Sequence, residues 1–378
     1  MKNRSTVWHC DPTGRMERSL VDTVSDLFDR AGGGEIFKKG DSTAVKFHCG
    51  EEGNTSYLNP AFARLLLKKL KSLGAKPFLI DTNTLYHGQR HNTADHLATA
   101  RRHGYGAEEI GAPVIISSDF AEVAGAGRRM KLAREFVQAD SLLVITHVTG
   151  HVLFGYAGAV KNVAMGLSSP ADKQVIHSDL KPKVKQERCT VCGTCVAACP
   201  VGAITLEAGS KALVNPRICI GCGECIAACP EKAIPPIWKS ETRKLARKNA
   251  QVAAAALEGK MERMLCFNFL LDVVPDCDCC SWSDPPFVPN LGVLASRDIL
   301  AVEQASLDLI ENAPLLPGSP AVGRFLKESG TEKEEEGVTL PRIGDKFGAL
   351  FQVEVEPFQA EMERAGLGSR DYRLVKVN

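Results

Sequence analysis

The stretch STAVKFHCGEEGNTSYLNPAFARLLLKKLKSLGAKPFLIDTN, residues 42–83, reads as strand, helix, strand. STAVKFH is a short β-rich run. Asn59 then offers an N-cap oxygen and Pro60 a pre-set first helical turn, and Gly74 stops the helix. KPFLID (76–81) is the second strand. The alternation continues outward with a helix over 93–103 ended by Gly104, a strand APVIIS (112–117), a helical stretch over 128–139 and a strand SLLVIT (141–146). Repeated β–α units of this kind predict an α/β fold, a mostly parallel sheet flanked by helices.

Polar residues gather after these strands. His48, Cys49, Glu51 and Asn54 follow the first, Asp81, Thr82 and Asn83 the second, Asp119 the third, and Thr146, His147 and His151 the fourth. In an open α/β sheet the carboxyl ends of the strands line the ligand crevice, so these loops mark a site. HVTGHVLFGYAGAVKNVAMGLSSPADKQVIH (147–177) adds Lys161 and Asn162 among glycines and apolar residues. A lysine so placed needs an anionic partner or a lowered pKa. The expected crevice residues are His151 and Lys161 in catalysis, with Asp81, Asn83, Asn162 and His147 binding substrate. His151 is expected as the proton donor or acceptor, because imidazole titrates near neutral pH.

Beyond residue 180 the composition changes. Of 14 cysteines, eight fall in CTVCGTCVAACPVGAI (189–204) and CIGCGECIAACPEKAI (219–234), which agree at ten of sixteen positions at a period of 30. Each is a C-x2-C-x2-C-x3-C-P run. Three thiolates on a tight glycine-containing turn can wrap three corners of an iron–sulfur cube, with the fourth cysteine one helical turn on. A zinc site would need only two pairs. Six further cysteines remain, Cys10, Cys49, Cys266, Cys277, Cys279 and Cys280. The run PDCDCCSW is dense enough for another metal or a redox-active thiol, or simply for buried sulfur.

After the runs, SETRKLARKNAQVAAAALEGK (240–260) predicts a helix, LGVLAS (291–296) a strand and RDILAVEQASLDLIE (297–311) a helix. The expected organisation is an α/β domain over 1–180, a small α+β module over 181–236, the α/β domain resumed over 237–329, and an acidic linker and tail over 330–378. LKPKVKQER (180–188) reads as a solvated entry linker, GTEKEEEG (330–337) as a solvated stretch, and GALFQVEVEP as strand-like. A net charge of +1 excludes a general nucleic-acid binder, and no apolar run is long enough to span a membrane. The first residues lack a secretory h-region, which, with the cluster cysteines, predicts a reducing cytoplasm. No G-x-G-x-x-G loop follows a strand; GAGR (125–128) is not one.

Residues 186–236 resemble the bacterial two-cluster ferredoxins, whose fourth cysteine ligates the other cube. The resemblance implies Cys189, Cys192, Cys195 and Cys229 on one 4Fe–4S cluster and Cys199, Cys219, Cys222 and Cys225 on a second, moving single electrons in anaerobic metabolism. Over residues 42–312 the chain resembles the iron–sulfur-centre proteins of bacteria and archaea, in which a domain of unknown function is interrupted by such a ferredoxin. The motifs are KFHCGEEGNTSYLNP, PFLIDTNTLYHGQRHNTADHLATA, THVTGHVLFGYAGAVKNVAMG, both cysteine runs and PDCDCC…VPNLGVLASRDILAVEQASLDLI. It departs from that pattern at Asp298-Ile299, where aspartate-proline is usual, at Glu303, where aspartate is usual, and in the extra cysteine of PDCDCC. GHVLFGYAGAVKNVAMGLSSPADKQVIH is also similar to the glycine-rich stretch of nickel-pincer lactate racemases. That similarity implies Lys161 at a cofactor-attachment position, His177 at a metal-ligand position, His151 as a base and His87–Arg90 as a second histidine–arginine pair. Ala159 replaces one motif glycine, and the racemases lack the ferredoxin.

Together these readings predict an iron–sulfur oxidoreductase that takes electrons from a redox partner protein or low-potential donor and passes them to a small anionic substrate. The alternatives are a non-catalytic carrier or docking subunit, and a 2-hydroxy-acid racemase or epimerase.

Overall fold

The computed structural model describes residues 4–14, 18–86, 88–125, 127–178, 181–206, 210–235, 237, 240–323 and 345–377. Eight strands form the main sheet: β1 (Ser5–Cys10), β2 (Ser42–Lys46), β3 (Lys76–Thr82), β4 (Val114–Ser117), β5 (Ser141–His147), β6 (Met264–Leu270), β7 (Gly292–Ser296) and β8 (Tyr372–Val377). Their spatial order is β8-β1-β7-β6-β5-β2-β3-β4. β7 pairs antiparallel with both β1 and β6, and every other pairing is parallel. Seven strands therefore run one way. The protein is α/β with a mostly parallel sheet, as the strand–helix alternation predicts.

Strands buried on both faces need apolar residues at every position. In β5, Leu142 and Val144 face one hydrophobic layer while Leu143 and Ile145 face the other. The first layer is closed by helices α4 (Ala159–Gly166), α6 (Thr242–Leu257) and α7 (Ile299–Asn312), the second by α1 (Leu20–Arg30) and α2 (Pro60–Ser72). Asn59 caps α2 through its side chain, with Pro60 at the first turn. The helix α3 (Thr93–Ala100) runs on into an irregular turn in which Gly104 takes φ 81°.

Two expectations change, and one central strand is new. Residues 128–139 are not one helix: Arg128–Ala133 is a strand in a hairpin with Phe120–Gly125, and only Arg134–Gln138 is helical. RRMKLA alternates, with Met130 and Leu132 buried and Arg129 paired to Glu122 on the outer side, and that period of two overrides helix propensity. GALFQVEVEP is not a strand. Lys346–Phe351 and Glu356–Arg364 are helical, the second started by Pro357, and the tail's strand is β8, which joins the sheet edge beside β1. MLCFNFL, unassigned from sequence, forms the central strand β6. GTEKEEEG lies outside the described residues.

Between α5 (Pro170–His177) and α6 the cysteine runs make a small unit with its own apolar cluster, including Ile204, Ile226 and Ile234. The duplication visible in sequence recurs in the backbone. Gly193 and Gly223 precede matching short helices at φ 79° and 78°. Ala203 and Ala233 each donate a backbone N–H to the sulfur of the cysteine four residues before, at 3.2 and 3.3 Å.

Candidate metal centres and the adjoining crevice

Eight cysteines meet in two quartets, each drawn from both runs. Cys189, Cys192, Cys195 and Cys229 line one small cavity, walled by Val184, Leu206 and Ile234. Cys199, Cys219, Cys222 and Cys225 line another, walled by Val201, Ile204 and Val214. None of the eight is in a disulfide. Four soft sulfur donors in an apolar cavity, with N–H groups aimed at Cys199 and Cys229, form a donor set for thiophilic metal.

The helix α5 lies between this unit and the main sheet. A Cβ on Gly223 would stand 2.7 Å from the Ala171 carbonyl oxygen, so glycine permits the close approach. Gln174 donates to the Ile237 carbonyl at 3.1 Å and accepts the Ile237 N–H at 3.0 Å. Lys173 and His177, one turn apart on α5, turn the other way, towards the carboxyl ends of the strands. Lys173 Nζ donates to Thr82 Oγ1 at 2.7 Å and to the Asn83 carbonyl. Burial pulls the Lys173 pKa down to about 7, so this ammonium can exchange a proton near neutral pH. His177 donates from Nδ1 to the Lys173 carbonyl at 2.7 Å and meets Phe154 edge to face.

The residues expected in the crevice lie at or near the carboxyl ends of the strands, with Asp81, His147 and His151 buried. Asp81 pairs with Lys46 at 3.2 Å and faces His96 at 3.8 Å; burial works against its charge, but Lys46 and His96 hold the carboxyl below its usual range. Asn83 donates to Thr93 Oγ1 at 3.0 Å, and Asn162 to the Ile145 carbonyl and Thr146 Oγ1, both at 3.0 Å. Among the described residues, no hydrogen-bond partner meets the buried Oδ1 of either asparagine. Lys161 has a sulfur partner: its Nζ lies 3.5 Å from Cys277 Sγ, a thiol whose own pKa the neighbouring Cys279 and burial raise well above the usual value. Burial opposes the charge on Lys161, yet Cys277 and Cys279 raise its pKa above the usual lysine value.

Two histidines differ from expectation. His147 is saturated: Nδ1 lies 2.9 Å from an Asp278 oxygen and Nε2 donates to the Leu271 carbonyl at 2.8 Å. Both nitrogens face acceptors, which fits an imidazolium locked in structure more than a substrate contact. His151 Nδ1 accepts the backbone N–H of Leu153 and Phe154, at 3.0 and 3.2 Å. Burial, then Lys161, pushes its pKa well below 6.5, so His151 is neutral with its proton on Nε2 and does not titrate near pH 7. Lys173 does. Asp119 is exposed and pairs with Arg134, outside the crevice, and His87 lies outside the described residues.

Sequence reasoning missed Lys173 and Asp278. Lys173 shares a helical face with His177, a spacing that could have found it. Arg90 is buried and bonds Glu51 at 3.3 Å and His48 at 2.7 Å, joining the loops after β2 and β3. Tyr86 donates its hydroxyl to the Cys279 carbonyl at 2.9 Å. His151, Cys277 and Cys279 place one nitrogen and two sulfurs within 4.8 Å of one another.

Fold and site together define an α/β protein with a buried polar cluster at the carboxyl ends of its strands and an inserted cysteine-rich unit beside it. Residues 43–308 match the family model described as Domain of unknown function (DUF362), and the chain belongs to that family. No curated protein matches it. Among solved structures it is similar to the lactate racemase apoprotein from Thermoanaerobacterium thermosaccharolyticum, at 10% identity and a TM-score of 0.37, covering 99% of this chain and 83% of that one. It is also similar to a Thermotoga maritima protein, at 13% identity and a TM-score of 0.33, covering 69% of this chain and 51% of that one. No helix among the described residues is long and apolar enough to cross a membrane.

Proposed function

We propose that the protein is an iron–sulfur oxidoreductase of the reducing cytoplasm. Cys189, Cys192, Cys195 and Cys229 would hold one 4Fe–4S cluster, and Cys199, Cys219, Cys222 and Cys225 the other. The observation that carries this reading is the exchange of the fourth cysteine: each cavity takes three sulfurs from one run and one from the other. That is the ligand pattern of two-cluster ferredoxins. When bound, such clusters supply one electron each at low potential, drawn from a redox partner protein or low-potential donor.

The crevice is read as the electrons' destination because α5 touches both sites, through Ala171 and Gln174 on one side and Lys173 and His177 on the other. Its cations, Lys161 and Lys173, suit a small anionic substrate or cofactor. The open Oδ1 atoms of Asn83 and Asn162 suit that ligand's hydroxyl or amide hydrogens. Lys173 is the proton-exchanging group in this scheme, and Asp81 holds it and Lys46 in place.

Anaerobically purified protein should carry about eight irons and as many acid-labile sulfides per chain, and dithionite should bleach its brown absorbance. Lys173→Met should leave both unchanged while slowing reoxidation by the crevice substrate by about 100-fold. Colourless protein without iron, or stoichiometric zinc in the quartets, would overturn the reading.

A further inference from the structure

Cys277 and Cys279 belong to neither quartet, yet they sit in the crevice wall with His151. Three soft donor atoms so close could hold a metal ion, but two features oppose one. With Nδ1 of His151 taken by two backbone N–H groups, the neutral ring carries its proton on Nε2, where a metal would need the lone pair. Lys161 Nζ, 3.5 Å from Cys277 Sγ, would also repel a divalent cation.

The same groups suit a pair of sulfurs that cycle between thiol and disulfide. Cys277 Sγ accepts the backbone N–H of Cys279 at 3.4 Å and faces the Lys161 ammonium, and both contacts steady a thiolate once one forms; at rest the Cys279 thiol and burial hold the Cys277 pKa well above the usual thiol value, so the pair waits as thiols. Cys277 is buried, whereas Cys279 is partly exposed and can meet a molecule from outside. We propose that Cys277 and Cys279 form a thiol–disulfide exchange couple whose substrates are small disulfides.

In the forward direction the Cys279 thiolate attacks one sulfur of the substrate. The substrate's S–S bond breaks, one half leaves as a thiolate, and a mixed disulfide forms on Cys279. Cys277 then attacks Cys279 Sγ, closing the Cys277–Cys279 bond and expelling the second half. The two protons lost by the cysteines end on the two released thiols. The substrate gains two electrons and the pair loses two, with Lys161 holding the charge on Cys277 between steps. Two electrons is also what the two clusters proposed above would carry together, but the exchange itself requires neither.

The test uses full-length protein, purified anaerobically, equilibrated in glutathione buffers of increasing oxidised fraction and quenched with iodoacetamide. Trypsin releases one peptide, residues 264–297, that carries Cys266, Cys277, Cys279 and Cys280. Its alkyl count should fall from four to two in a single step. Cys277→Ser should lose at most one alkyl group and gain one glutathionyl group, while Cys280→Ser should keep the two-group step. Iron content and visible absorbance should be unchanged in all three proteins. A count of four at every buffer ratio, a two-group loss surviving in Cys277→Ser, or one copurifying metal ion lost from that variant would each overturn the proposal. Iron-free protein that still shows the two-group step would sink the cluster reading alone.

Discussion

A buried charge survives only with partners, and His147 has one on each side of its ring. Burial alone would lower its pKa, but Asp278 and the carbonyls of Leu271 and Asp272 outweigh burial and raise it. Because the folded pKa lies above the unfolded one, the pair's full stabilisation is present below about pH 6.5 and is lost as pH climbs through the raised folded value. Asp278→Asn should therefore cost roughly 2–3 kcal/mol at pH 6 and progressively less at alkaline pH, read by urea unfolding at several pH values. Equal losses at pH 6 and pH 9 would refute the imidazolium. At this scale the position of Asp81 and His147 at a strand's carboxyl end was legible, whereas their roles were not. What could not be read was the state of the His147 ring, because that depends on carbonyls and a carboxylate more than a hundred residues away.

Helix α4 carries Lys161 and Asn162, and its orientation depends on Glu303 of α7. Glu303 accepts the Val160 N–H at 3.2 Å and the Tyr156 hydroxyl, at the start of α4. Gly158 makes room, since a Cβ there would stand 2.4 Å from Glu303 Oε1. Burial pushes the Glu303 carboxyl up from 4.5 to about 7. A carboxyl with a raised folded pKa holds a proton that the unfolded chain releases, so its effect is a loss of stability as pH rises from about 4.5 to 7, on the order of 3 kcal/mol in all. Glu303→Gln keeps the acceptor and removes the titration. Its stability relative to wild type should rise by about that amount between pH 4.5 and pH 8, followed by thermal or urea unfolding, and a constant difference across that range would exclude this account. Elements with strong signals, such as the Asn59–Pro60 start of α2, were legible in the sequence. The hairpin over 120–133 was not, because a charged stretch that alternates over only six residues looks equally like one face of a helix.

Across the whole molecule, an inserted unit was legible because its cysteine spacing repeats, whereas its docking was not: Gln174 and Ile237 stand 63 residues apart, and no local pattern announces that pair. The exchange of fourth cysteines is likewise a statement about the whole inserted unit, and paired substitutions can separate it from ligation within each run. If Cys189 and Cys229 serve one cluster, the double variant Cys189→Ala with Cys229→Ala removes only that cluster and should retain about four irons per chain. Cys219→Ala with Cys229→Ala strikes both clusters and should retain close to none. Ligation within each run predicts the reverse, because Cys219 and Cys229 would then share a cluster while Cys189 and Cys229 would not. Iron and sulfide assays on the two double variants, with circular dichroism to establish that the α/β sheet is folded in both, decide between the two arrangements.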